Sequence, residues 1–187
     1  MSEPGADWSV LGTLAAVPAL DRPDLIGDRV AHALKSMDPA DARLVGVAEI
    51  DPVLADTAAF CEAYGSPLDG SANCVVVAGR RGEETRYAAC LVLATTRADV
   101  NGLVRKRLNA RKASFAPMDD AVALTGMEYG GITPVGLPED WPVLVDSAVA
   151  AAPAVVIGSG VRHSKLALPG ELAARLPGAE VVEGLGR

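Results

Sequence analysis

Short β-forming runs recur along this chain more often than helical stretches, and that imbalance decides what it can fold into. Residues 44–50, 74–78, 87–95, 112–116, 142–146, 154–157, 165–168 and 181–182 each read as a strand. Helical spacing of apolar residues is found over 23–37, 52–64, 99–109, 117–125 and 170–176. A βαβ fold needs a helix between successive parallel strands, whereas here strands follow strands. The sequence therefore predicts an α+β fold: a mixed, barrel-like β-sheet with surrounding helices. Residues 73–95 read as a hairpin that turns through Gly79-Arg80-Arg81-Gly82, a connection longer than two residues. Proline and glycine set the helix limits: Pro23 near a start, Asp38-Pro39 as a stop, Gly65 and Pro67 closing the second helix. Asp119 and Asp120 suit the positive end of the helix over 117–125, and Gly126 suits its C-cap.

Residues 1–22, with Pro4, Gly5 and Pro18, read as a loosely ordered lead-in holding at most one short helix, and 23–187 as a single domain. Half of the 187 residues are apolar but only 4% are aromatic, so Ala, Val and Leu must fill the core. The net charge of −7 argues against broad binding to DNA or other nucleic acid, which needs many cations. It is compatible with one basic patch, and Arg105, Lys106, Arg107, Arg111 and Lys112 supply five cations within eight positions. They read either as a solvated helix face or as a grip for nucleic-acid phosphates.

No apolar run reaches the roughly 18 residues of a membrane span, and the N-terminus, with Glu3 and Asp7, lacks the basic start of a secretory signal. Three dispersed cysteines, Cys61, Cys74 and Cys90, predict neither a disulfide framework nor a zinc site and fit a reducing cytoplasm. No spacing of acids and histidines predicts a metal, and Gly158-Ser159-Gly160 lacks the pattern of a dinucleotide loop, so no cofactor is expected. Cys74 reads as a small buried strand residue rather than a nucleophile paired with His163 or His32.

The ordered set Ala116-Pro117, Leu124-Thr125-Gly126, Gly130-Gly131-Ile132-Thr133-Pro134-Val135-Gly136, Pro142-Val143-Leu144-Val145-Asp146 and Gly160-Val161-Arg162 resembles the YbaK/ProX family over roughly residues 44–183. The resemblance implies hydrolysis of the ester joining a wrong amino acid to the 3′ end of a tRNA, with an aminoacyl-tRNA synthetase as a further partner. Such editing exists because one methylene gives a synthetase pocket only about 1–3 kcal/mol of discrimination. It also implies that Gly130 and Gly131 let the backbone approach a ligand, their N–H groups donating to the ester carbonyl, with Ile132 and Pro134 shaping the loop. A plain turn before a strand is the other reading of that loop.

The sequence departs from the family pattern at several positions. Asn73 stands where the family carries a Lys; it hydrogen bonds but has no charge. Lys165 stands where an acid is usual, so the cation has either moved to the other wall of one pocket or lies on a solvated edge strand. Thr133 replaces a Ser and keeps the hydroxyl, and Gly158-Ser159-Gly160 replaces Ser-Ala-Gly. The candidate catalytic set is Gly130, Gly131, Thr133, Asn73 and Lys165. Cys74, Ile132, Pro134, Asp146, Gly158, Ser159 and Gly160 border the substrate, and Arg105, Lys106, Arg111 and Lys112 are the candidate tRNA contacts. Loss of the family Lys leaves open a relative that binds tRNA ends, aminoacyl ligands or a synthetase without turnover.

Overall fold

The computed structural model describes residues 6–187. Its spine is the hairpin of β3 (Ala72–Arg81) and β4 (Glu84–Leu93), both long β-branched and alanine-rich runs. These strands belong to a five-stranded sheet with the order β5 (Lys112–Phe115), β3, β4, β6 (Val143–Asp146), β9 (Ala179–Val182). β3 is antiparallel to β4 and β5, whereas β4, β6 and β9 run parallel. A four-stranded antiparallel sheet has the order β1 (Val17–Pro18), β2 (Gly46–Glu49), β8 (Ser164–Leu168), β7 (Val155–Gly158).

The mixed α+β class is as the sequence predicts. The strands form two sheets rather than one closed barrel among the described residues. Between β3 and β7 the ladder shrinks to a single parallel bridge, Ser71 with Val156, so the sheet edges meet at one point and then separate. The hairpin turn is also shorter than expected. Arg81 pairs with Glu84, leaving two residues, and Gly82 takes φ 64°. Positive φ at the first central position is the primed geometry that matches strand twist, so the ladder continues through Arg80 and Arg81.

Helices α1 (Asp28–Ser36), α2 (Pro39–Ala42), α3 (Thr57–Tyr64), α4 (Arg105–Arg107), α5 (Met118–Thr125), α6 (Ser147–Ala150) and α7 (Gly170–Ala173) surround the sheets. The main core joins both sheets: Val47, Leu166 and Ile157 from the smaller pack with Leu91, Val143 and Val145 from the larger, and Val30 and Leu34 of α1 close it. Each fully buried side chain of this size stabilises by about 1.5–3 kcal/mol. Of the expected lead-in, residues 1–5 lie outside the described residues. The rest is docked: Leu11 and Ala19 are fully buried, β1 pairs with β2, and Trp8 Nε1 donates to Leu44 O at 3.0 Å. The ring of Trp8 rests on Gly46, where a Cβ would lie 2.5 Å from it.

Candidate functional site

Where β3 and β7 separate, the molecule opens a cleft of about 550 Å³, within the ordinary range for small-ligand sites. β3 brings Asn73 and Cys74 to it, β7 brings Gly158, β8 brings Lys165, and the loop after α5 brings Gly130 and Ile132. Six expected positions from four chain segments thus share one cavity.

Lys165 lies on a buried wall of the cleft. β8 runs between β2 and β7, so it is a central strand, not a solvated edge, and the side chain is only 7% exposed. Its Nζ donates to Ala55 O at 2.8 Å and lies 5.7 Å from the centre of the Phe60 ring. Both partners follow from one local event. The turn Pro52–Leu54 stops, and Asp56 caps α3 by accepting from Ala58 N and Ala59 N at 3.1 and 3.3 Å. This leaves the Ala55 carbonyl facing the ammonium and places Phe60 one turn along. Burial pushes the Lys165 pKa below its usual value; Asp56 and Cys61 oppose that shift and Arg162 adds to it.

Asn73 faces the same space from the other sheet, and Thr57 Oγ1 donates to its Oδ1 at 2.8 Å. That bond leaves the two Nδ2 protons for a ligand. The β3 backbone is a second source of donors. Ala116 N donates to Val76 O, so the main-chain groups of Val76 point away from β4. The alternation of a strand turns Cys74 N–H the same way, to the edge that borders the cleft. Burial among apolar groups pushes the Cys74 thiol pKa up, away from the thiolate form.

The glycine loop works differently from the expectation. Gly130 lines the cleft, but Gly131 is buried and its N–H donates to Glu128 O at 2.9 Å, so it is not available to an ester carbonyl. Gly131 O accepts from Gly160 N at 2.7 Å, and a Cβ at 131 would lie 2.5 Å from Val161 O. The reciprocal constraint holds at Gly158, where a Cβ would lie 2.6 Å from Gly131 O. These glycines let two loops touch backbone to backbone, and that contact fixes Gly130 at the rim.

Five other expected site residues lie outside the cleft lining. Thr133 is fully buried with Oγ1 unpartnered. Pro134 is buried beside it in the loop. Asp146 ends β6 and is 4% exposed. Ser159 Oγ donates to Ser164 O at 3.1 Å and accepts from Ser164 Oγ at 2.7 Å, holding the turn between β7 and β8. Gly160, at φ 87°, packs on Gly27. The cation cluster also divides: Arg105, Arg111 and Lys112 line one groove, whereas Lys106 lines a separate crevice with Glu180.

Sequence reasoning missed Asp56, Thr57, Phe60, Phe115 and Tyr129, all of which line the cleft. Asp56 had a legible signal as an Asp before a helical run, masked by Asp51-Pro52 just upstream. Arg162 also lines the cleft, and its guanidinium ties the site together by donating to Tyr129 O at 3.0 Å and to Pro52 O at 3.1 Å.

Comparisons bear on this arrangement. No curated protein sequence matches the chain. Among solved structures, a protein described as a candidate trans-editing enzyme for prolyl tRNA synthetase is similar at a TM-score of 0.69 and 22% identity, over 83% of this chain and 93% of that one. The hypothetical protein APE2540 is similar at a TM-score of 0.72 and 18% identity, over 86% and 100%. At these identities the likeness speaks for the fold. The sequence model of the aminoacyl-tRNA editing domain matches residues 51–176, which span every segment lining the cleft. The chain belongs to the aminoacyl-tRNA editing domain family.

Proposed function

We propose that the chain is an aminoacyl-tRNA deacylase that acts in trans in the cytoplasm, hydrolysing the ester between a misattached amino acid and the terminal ribose of its tRNA. The observation that carries this reading is the buried Lys165 ammonium facing the same cleft as Asn73 and the outward edge of β3. With one Nζ proton donated to Ala55 O, two remain for the ligand.

Water attacks the ester carbonyl carbon and passes the proton it loses to solvent, with the neighbouring ribose hydroxyl as relay; where the substrate's own side chain attacks instead, the acyl group leaves as a cyclic product. The carbonyl oxygen becomes an oxyanion, which Lys165 and the Cys74 N–H stabilise in a site of low dielectric. The intermediate collapses, the ester C–O bond breaks, and the ribose oxygen leaves with a proton. A Lys with a lowered pKa gives up that proton more readily than an ordinary one. In the water route the products are the free amino acid and the uncharged tRNA.

Removing one oxyanion donor typically lowers kcat by about 10²–10³. Deacylation of a panel of misacylated tRNAs should therefore fall by about that factor in Lys165→Met. Equal rates in the two proteins would remove Lys165 from the reaction. The neutral Asn73 favours a second reading, a binding protein for tRNA ends, aminoacyl ligands or a synthetase. Saturable binding of every charged tRNA in the panel with turnover of none would select it.

A further inference from the structure

β5 is the edge strand of the five-stranded sheet, and a groove runs along it. Arg80, Arg105, Arg111 and Lys112 line that groove together with Asn101 and Ser114, and no carboxylate does. Among the described residues none of these four cations forms an ion pair. The Arg105 guanidinium is held by the backbone, its Nε donating to Asn101 O at 2.8 Å, and the main chain of Arg111 is tied to that of Arg80, Arg111 N donating to Arg80 O at 2.8 Å. An uncompensated basic groove on a chain of net charge −7 is a local reversal of field that attracts polyanions.

The other end of β5 is apolar and reaches the cleft. Phe115 and Tyr129 both line the cleft, and each is 59% exposed. The chain has only two Phe, three Tyr and two Trp, so exposing two aromatic rings at one rim is a poor use of them for stability alone. Asp119 borders the surface beyond Met118, which makes the rim itself unfavourable for phosphate. Lys112 and Phe115 are three residues apart on a strand, roughly 10 Å, with their side chains on opposite faces, so a chain passing from one to the other crosses the free edge of β5.

Building on the editing reading above, we propose that the free edge of β5 guides the unpaired 3′ end of the RNA into the cleft, its phosphates against Arg80, Arg105, Arg111 and Lys112 and a base stacked on Phe115. Cationic grooves with aromatic platforms are the physical means by which single strands are held without sequence readout. The unpaired edge amides of β5 add donors that suit phosphate oxygens.

The test is binding of an uncharged RNA hairpin with an unpaired 3′ tail, followed by fluorescence anisotropy over a range of salt. Arg80→Ala, Arg111→Ala and Lys112→Ala should each weaken binding and flatten log affinity against log salt by about 0.7–1. Phe115→Ala should weaken binding roughly tenfold with the slope unchanged, and Phe115→Trp should restore it. Lys35→Ala and Arg43→Ala, cations at the ends of α1 and α2 in a different groove, should match the wild type. Equal losses in all of these variants, no loss in the groove variants, or no binding by the wild type would each overturn the path. Turnover of misacylated tRNA with unchanged KM in the groove variants keeps the hydrolase and removes the path. Groove-dependent RNA binding without turnover keeps the path and removes the hydrolysis.

Discussion

A lysine in a strand ordinarily carries its charge to water, so the cost of Lys165 must be offset locally. Ala55 O, the Phe60 ring and the charge of Asp56 offset part of it, and the lowered pKa is what remains uncompensated. The sign of the linkage follows. In the unfolded chain this amine titrates near 10.5, whereas in the folded chain it loses its proton at lower pH. Between the two values the unfolded state holds more protons, so stability rises with pH there. The penalty is full below the folded pKa and is relieved as pH climbs from it toward 10.5. Lys165→Met keeps the length and removes the charge, so it should match or exceed the wild type in stability at neutral pH, with the gap narrowing through the alkaline range. Urea unfolding of both proteins from pH 7 to 10.5 checks this, and a gap that stays constant would mean the amine is not strained by burial.

At the scale of elements, the loop after α5 and the turn after β7 behave as one unit. They touch through Gly131 and Gly158, with hydrogen bonds from Gly160 N to Gly131 O and from Glu128 N to Gly160 O at 2.7 and 3.0 Å. Gly131→Ala would push a methyl group into the Val161 backbone, and overpacking of this kind costs about 1–3 kcal/mol. Its Tm should fall by several degrees, and deacylation should fall with it, because Gly130 and Arg162 are positioned by the same contact. Gly82→Ala, where a Cβ meets nothing within 4 Å, isolates the cost of a positive φ from that of a clash. If the two substitutions proved equally mild, loop contact would not be what those glycines provide.

The same elements show what the sequence made legible. Strands came through because alternation and β-branching survive in one dimension: β3, β4, β5 and β8 lie close to where their residue types put them. Two expected helices proved to be a turn followed by a shorter helix. Residues 23–37 divide at Gly27, whose N–H bonds to Ser159 O across the fold, and 52–64 divide where Asp56 caps α3. Neither interruption leaves a mark in the spacing of apolar residues. At the site, Gly130 stood out by its place in an ordered motif and Asn73 and Lys165 as departures from the family pattern, whereas the inward turn of Thr133 and Ser159 is decided by which loop packs on them. The burial of Lys165 was hidden because only the sheet order makes β8 central.

At the scale of the molecule, the cleft has one wall from each sheet, and its cation stands on only one of the two positions, 73 and 165, that face each other in it. Asn73 belongs to the five-stranded sheet and Lys165 to the four-stranded one, and the walls meet at the Ser71 and Val156 bridge. If the chemistry needs one ammonium in this cavity and tolerates either wall, Asn73→Lys with Lys165→Met should recover deacylation that Lys165→Met alone has lost. Asn73→Lys on its own places two cations in one cleft of about 550 Å³. Like charges at close range lower each other's pKa, so its pH profile should shift downward relative to the wild type. The informative quantity is the coupling between the two positions: a double variant that regains a tenfold or greater share of the lost kcat corresponds to at least about 1.4 kcal/mol of compensation. Were the double variant as inactive as Lys165→Met while still folded and still binding RNA, the position of the ammonium, and not its presence, would be what the four-stranded sheet contributes.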